Sequence, residues 1–296
     1  MTYEIYHQTA FHYQGLVTFS HNIARLRPKE SATQHVVDFQ MEVTPLAYET
    51  SDFTDMFGNA TSHLLIREAH RSLSVVGRSH VSIDEQEVLR RVERFEALTL
   101  TCEEVKSALT RFDPDAIEAK LFLFDSKRIP KASDAIRAYA RRSFEPHRPI
   151  AEAIKEFMGR IYDDFDFVAG FSDITTPIEE IFEAKKGVCQ DFAQFAIAAL
   201  RSLGLSARYV SGYIETVPPL GGEKLFGSDA SHAWVGVYIP QYGWAAFDPT
   251  NNLLASTQHI VLGSGRDYDD VAPLRGVVLS SGQSKLSIEV DVRRNI

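Results

Sequence analysis

The run KKGVCQDFAQFAIAALRSLG, residues 185–204, constrains the fold more than any other segment of the chain. Phe192, Phe195, Ala196, Ala199, Leu200 and Leu203 recur at helical spacing, and Gly204 supplies a stop. The pattern predicts a helix held in a core, with Cys189 at its N-terminal tip. A helix N-terminus gathers unpaired N–H groups and positive dipole potential, and both favour a thiolate. Further along, His232 opens the run HAWVGVYIP and Asp248 closes the run WAAFD. Both runs read as short apolar strands joined through PQYG. An antiparallel hairpin would set the start of the first beside the end of the second, making residues 232 and 248 cross-strand neighbours.

These residue types suit nucleophilic catalysis. A free thiol titrates near about 8.5, so little of it is thiolate at neutral pH without help. An imidazole can take the proton, and its other N–H then needs a fixed acceptor, which a carboxylate provides. Taken singly, each residue has a plain reading: a buried cysteine as a small hydrophobe, a strand histidine as a structural hydrogen bonder, Asp-Pro as a turn starter. The order helix-tip cysteine, strand histidine, next-strand aspartate within one segment makes nucleophile, base and orienting group the stronger joint reading.

The blocks GVCQDFAQFAIAALRSLGLSARYVSGY, SHAWVGVYIPQYGWAAFDPTNN and GRDYDDVAPLRG resemble the bacterial transglutaminase-like family of candidate cysteine proteases. The stretch YEIYHQTAFHY, with RLRP and FGN after it, resembles the β-rich domain that precedes the catalytic core in that family. The resemblance spans nearly the whole chain. It implies an α+β, papain-like core, helices packed on an antiparallel sheet, with Cys189, His232 and Asp248 as a catalytic triad. It also implies acyl chemistry on peptide or glutamine-type amides through a cysteine thioester. Hydrolysis is the expected outcome, because no second-substrate feature is visible. Amine transfer, as in a transglutaminase, and a non-enzymatic scaffold are the alternatives. An acyl-CoA-dependent acetyltransferase is disfavoured, since KKGVCQDF lacks that family's usual surroundings of the cysteine.

For the oxyanion, the backbone N–H of Cys189 is one natural donor. The Gln190 amide is a second candidate, although consecutive helical residues point about 100° apart. By analogy with the superfamily, Tyr162 is a third. Asp191 reads as a cap or a contact to nearby backbone. Animal-type transglutaminases use calcium, but no EF-hand pattern occurs here, and Asp267, Asp269 and Asp270 are too local to predict an ion. Neither cofactor nor metal is expected.

Residues 1–84 alternate with period two in TYEIYHQT, VTFSHNIARL, HVVDFQMEV, SHLLIRE and SLSVVGRSHVSI, which predicts an N-terminal β-sandwich or small barrel with a turn at FGN. Its histidines (7, 12, 21, 35, 63, 70 and 80) lack the close pairing of a metal site. Residues 85–296 are expected to form the catalytic domain, with a helical lead-in over 85–150. Thr101 with Glu104, and Thr176 with Glu179, have capping-box spacing. The basic residues Lys127, Arg128, Lys131, Arg137, Arg141, Arg142 and Arg148 read as a solvated helical face. VPPLGGEKLFGSDAS, with Leu220, Leu225 and Phe226, is either a substrate-facing flap or a plain connector. Trp234 shares a strand face with His232 and either walls the site or fills the core. Trp244 and Tyr213 carry the same two readings.

A net charge of −9 and a pI near 5.6 argue against nucleic acid and anionic membranes as partners. A peptide or protein amide substrate is expected instead. Cys102 and Cys189 are the two cysteines and are expected to stay unpaired. With no signal-peptide pattern visible, a cytoplasmic location is the default expectation.

Overall fold

The computed structural model describes residues 1–111, 116–215 and 230–295. The period-two segments form β1 (Thr2–Val17), β2 (Phe19–Ala24), β3 (Gln34–Thr44), β5 (Ala60–Ile66) and β6 (His70–Ile83). Between them, β4 (Glu49–Thr54) was not predicted. All six of its residues are exposed, so ETSDFT carries no inside–outside alternation to read. The turn at FGN joins β4 to β5. Gly58 takes φ +74° there, and Asp55 Oδ1 accepts the N–H groups of Phe57 and Asn59, both at 2.9 Å.

The helical stretch supplies α1 (Glu85–Glu96), α2 (Cys102–Thr110), α3 (Ile117–Lys120), α4 (Asp134–Arg141), α5 (Ile150–Asp164) and α6 (Ile178–Ala184). Thr101 and Glu104 form the predicted capping box: Thr101 N–H donates to Glu104 Oε2 at 2.8 Å, and Glu104 N–H to Thr101 Oγ1 at 3.3 Å. The box at Thr176 does not form. Glu179 instead accepts from the backbone and hydroxyl of Ser133, at 3.1 and 2.8 Å, fastening the start of α4 to α6. Cys102 is fully buried at the head of α2, as a structural thiol would be, and burial pushes its pKa up.

A parallel ribbon of β7 (Asp166–Phe167) and β8 (Lys186–Gly187) leads into α7 (Cys189–Ser202). Next come β9 (Ala207–Ile214), β10 (Ser231–Ile239), β11 (Gly243–Asp248), β12 (Leu253–Leu254) and β13 (His259–Gly265). They form an antiparallel sheet ordered β12-β11-β10-β9-β13. Helix α7 lies on one face, with Phe192, Phe195, Ala196, Ala199 and Leu200 in the same core as Ala233, Val235 and Val237. At about 1.5–3 kcal/mol per fully buried large side chain, burial between this sheet and helices α4 and α6 anchors the cysteine-bearing helix.

After α8 (Tyr268–Val271) the chain returns to its beginning. Strand β14 (Leu274–Leu279) pairs with β2, and β15 (Ser284–Asn295) pairs with β1 from Thr2↔Asn295 to Tyr13↔Ser284. A split by chain order at residue 84 therefore groups these last strands away from the sheets they complete. Those sheets run β15-β1-β6-β3 and β14-β2-β5-β4, and they enclose Leu26, Leu64, Ile66, Leu73 and Val75. Tyr3, Ile5, Val81 and Val290 of the first sheet pack against Tyr213, Ile260 and Leu262 of the β9–β13 sheet. A buried hydrogen bond of 2.8 Å joins His7 Nδ1 to the Tyr213 hydroxyl across this junction.

Part of the basic cluster is not a free solvated face. Arg128 donates through its backbone N–H to Asp267 Oδ2 (2.9 Å) and through Nε to Asp269 Oδ1 (3.0 Å). Lys127 also pairs with Asp269, and Arg148 pairs with Glu156. The flap candidate with Leu220, Leu225 and Phe226 lies outside the described residues. Among the described residues no helix is long and apolar enough to cross a membrane.

Candidate active site

Cys189 is the first residue of α7 and is partly exposed. Val188 before it has no side-chain acceptor, so the cap comes from within the helix. Asp191 Oδ2 accepts the Val188 N–H at 2.8 Å and the Ser172 hydroxyl. Burial raises the Asp191 carboxyl, against the opposing pull of these two bonds. The arrangement matches the cap expected of Asp191. It also requires glycine at 187, where a Cβ would stand 2.9 Å from both Cβ and Oδ2 of Asp191. Gly187→Ala should therefore cost about 1–3 kcal/mol through overpacking. It should appear as a lower Tm together with slower alkylation of Cys189; an unchanged Tm and alkylation rate would contradict this.

The hairpin of β10 and β11 forms with Val235 opposite Phe247 and Ile239 opposite Gly243. This register sets Asp248 diagonal to His232 on the same sheet face, within side-chain reach. His232 Nε2 lies 2.7 Å from Asp248 Oδ2, and Asp248 is fully buried. Because Nε2 is committed to the carboxylate, Nδ1 is the ring nitrogen left for the sulfur, and the ring stands near enough to Cys189 for the thiol to raise its pKa. Burial alone would lower the imidazole pKa. The bond to Asp248 and then the neighbouring Cys189, with their charges, outweigh it and push His232 up to about 10.

Asp248 is held by more than one histidine. His259 Nε2 approaches Oδ2 at 3.3 Å, and Asn251 Nδ2 donates to the same oxygen at 2.7 Å. The other oxygen, Oδ1, accepts the N–H groups of Thr250 (2.9 Å) and Asn251 (3.3 Å). Ser256 N–H donates to His259 Nδ1 at 3.2 Å, so the neutral ring carries its proton on Nε2 and donates it to Asp248. Burial would raise the Asp248 carboxyl, but the donors, His232 first, hold it well below the usual carboxylate range. His232, Asp248 and His259 bring three potential metal-ligand atoms within 4.8 Å of one another. As placed, both rings address one carboxylate oxygen through Nε2, which describes a hydrogen-bond network.

A folded-state pKa above the unfolded value of about 6.5 gives a stabilisation fully present below that pH and lost as pH rises toward 10. The stability advantage of the native protein over His232→Gln should accordingly shrink between pH 6.5 and 10. Parallel urea-unfolding curves across that range would contradict the assignment.

Among the other sequence candidates, Gln190 sits half-buried in the first turn of α7, beside Cys189. Tyr162 lies in the last turn of α5, 51% exposed, and among the described residues no hydrogen bond or ring contact ties it to Cys189. Trp234 is fully buried, its ring 6.0 Å from that of His232 and 5.2 Å from that of His259. It both fills the core and backs the histidines. Tyr213 is a buried junction residue, and Trp244 stays partly exposed.

Three neighbours escaped sequence reasoning. His259 is a polar residue opening an apolar strand, a signal that His232 also gave. Asn251 follows Asp248 at turn spacing. Tyr209 is buried near Cys189, whose charge adds to burial in raising its phenol, but in sequence it is one more core aromatic.

Residues 137–249 match the profile of the transglutaminase-like superfamily, and residues 3–82 that of the bacterial transglutaminase-like N-terminal region. An uncharacterized protein of Mycobacterium tuberculosis is 36% identical over 98% of this chain and 92% of its own length. A protein-glutamine gamma-glutamyltransferase of Pseudomonas aeruginosa is 35% identical over 71 residues, 24% of this chain and 11% of its own. The crystal structure of a candidate cysteine protease from Cytophaga hutchinsonii has the same fold. It superposes with a TM-score of 0.74 at 22% identity, covering 99% of this chain and 90% of that one.

Proposed function

From the premise that this chain belongs to the bacterial transglutaminase-like family, we propose that it is a thiol-dependent enzyme cleaving peptide or glutamine-type amides. One observation carries the reading: His232, near enough to Cys189 to feel the thiol, is held at Nε2 by a buried carboxylate. Histidine held this way keeps a single orientation and stabilises the imidazolium that forms when it takes the thiol proton.

In the proposed reaction the Cys189 sulfur attacks the amide carbonyl, forming a C–S bond and pushing the carbonyl electrons onto oxygen. The Cys189 N–H, at the head of α7, has no hydrogen-bond partner among the described residues, so it is a donor for that oxyanion. Gln190 is the side-chain candidate nearest to hand. Protonated His232 gives its proton to the leaving amine as the C–N bond breaks, and a thioester remains on sulfur. Water then attacks, His232 takes its proton, and the acid and free thiol are released. Amine transfer is the second reading, favoured by the short match to the Pseudomonas glutamyltransferase.

Incubation with a library of glutamine-containing peptides, with and without a dansylated primary amine, distinguishes these outcomes. Hydrolysis yields shortened or deamidated peptides with the amine left unused; transfer yields dansylated peptide. A complete lack of product, with no acyl mass on Cys189 after rapid quenching, would count against both.

A further inference from the structure

On the sheet face away from α7 lies a cavity of about 410 Å³, enclosed by the N-terminal sandwich, α1 and strands β9 to β13. That volume falls within the range of small-molecule sites. Cys189 and His232 do not line it; Trp234 and His259 stand between it and the catalytic histidine. We infer that this cavity binds a small organic anion, an apolar or aromatic body carrying one carboxylate or phosphate group.

Three cations, Lys29, Arg91 and Arg208, line the cavity, and among the described residues no acidic side chain does. Arg208 crosses Gly236, where a Cβ would stand 3.1 Å from its Cγ and Nε, and lays its guanidinium 4.2 Å over the Trp244 ring. Its Nε has no hydrogen-bond partner, and neither Arg208 nor Arg91 forms an ion pair among the described residues. Arg91 donates to the Trp244 carbonyl, at 3.0 Å. Lys29 is satisfied by neutral acceptors, the Phe57 carbonyl, Asn59 and Ser264.

Burial and the neighbouring Arg91 lower Arg208 to about 9, while burial and Arg208 lower Lys29 to about 8 against the opposing pull of Asp55 and Glu118. The charge on Arg208 and Arg91 is not answered by an ion pair among the described residues, and such charge in a partly enclosed site is costly unless an anion answers it. Arginine presents paired N–H groups that match the oxygens of a carboxylate or phosphate. Much of the remaining wall is apolar, with Val92, Leu254 and the Trp244 ring placed to receive the body of the ligand, and Ser31, Thr33 and Ser256 add hydroxyl groups.

The chain has only two tryptophans, and both line the cavity, so intrinsic fluorescence reports on it directly. The full-length protein is titrated with 4-phenylbutyrate, with phenyl phosphate, and with neutral 4-phenylbutanol. A saturable change with either anion, at least tenfold weaker with the alcohol, is expected; the stronger anion identifies the headgroup class. Arg208→Gln should weaken the better anion at least tenfold. If that variant fails to fold, Arg91→Gln, which alters a helix-surface residue, should give at least a threefold loss. No saturable change with either anion, equal affinity for the alcohol, or unaltered binding in a folded arginine variant would overturn the inference. Alkylation of Cys189 is followed in parallel, so failure here is distinguishable from failure of the catalytic reading.

Discussion

Turnover of a peptide amide is expected to fall by at least about 10⁴-fold when Cys189 becomes Ala, with Tm nearly unchanged. The sulfur is partly exposed at a helix tip, and the helix is anchored by Phe192, Phe195 and Leu200 further along. Removing Sγ thus deletes the nucleophile and little packing. The residual rate would come from binding and from the N–H donors of α7. Cys189→Ser should rescue little, since a hydroxyl is a far weaker nucleophile beside the same imidazole. The measurement is kcat/KM on a cleaved peptide alongside thermal unfolding. A variant retaining more than a tenth of wild-type kcat/KM would remove Cys189 from the chemistry.

Asp248→Asn should be the second large effect, and it should touch both rate and stability. The native carboxylate accepts N–H groups from His232, His259, Asn251 and Thr250. An amide of the same shape has one acceptor oxygen and a donor face, so it cannot answer both histidines in their present tautomers. The ring of His232 then loses its fixed acceptor, and a loss of about 10⁴-fold in kcat is expected. Leaving buried donors unmatched should cost about 3 kcal/mol as well. His259→Gln separates the two contributions: it loses one donor to Asp248 and leaves the His232 bond in place. Its activity loss should be at least tenfold smaller than that of Asp248→Asn. Equal losses in the two variants would assign the role to the network as a whole.

The helix at 189–202 and the hairpin at 231–248 were legible because their side chains obey one period against one core. Phe195 packs among Tyr139, Phe165 and Phe182 on the helical side, and Ala233 and Val235 belong to the same core from the sheet side. The approach of His232 to Asp248 followed from that hairpin, although the actual register is diagonal. What escaped the sequence lacks such periodic constraint. Strand β4 has no buried face, and its only signal is pairing with β5. The return of β14 and β15 to β2 and β1 is a long-range contact, for which local pattern carries no address. His259 reaches Asp248 from β13, which lies at the opposite edge of the sheet from β12; only the three-dimensional curl of the sheet reveals it. The Thr176 capping box does not form because α6 starts after Pro177, one residue later than the box needs, while Thr176 accepts from Asp173 and Glu179 from Ser133.

The proposed catalysis depends on coupling between one sulfur and one imidazole, and iodoacetamide measures it. Second-order alkylation rates at Cys189, read by peptide mass spectrometry from pH 4 to 9, should stay high below pH 6 in the native protein. In His232→Ala the rate at pH 6 should drop at least tenfold, while buried Cys102 remains unlabelled in both proteins. A native rate at pH 6 no faster than that of His232→Ala would contradict the account.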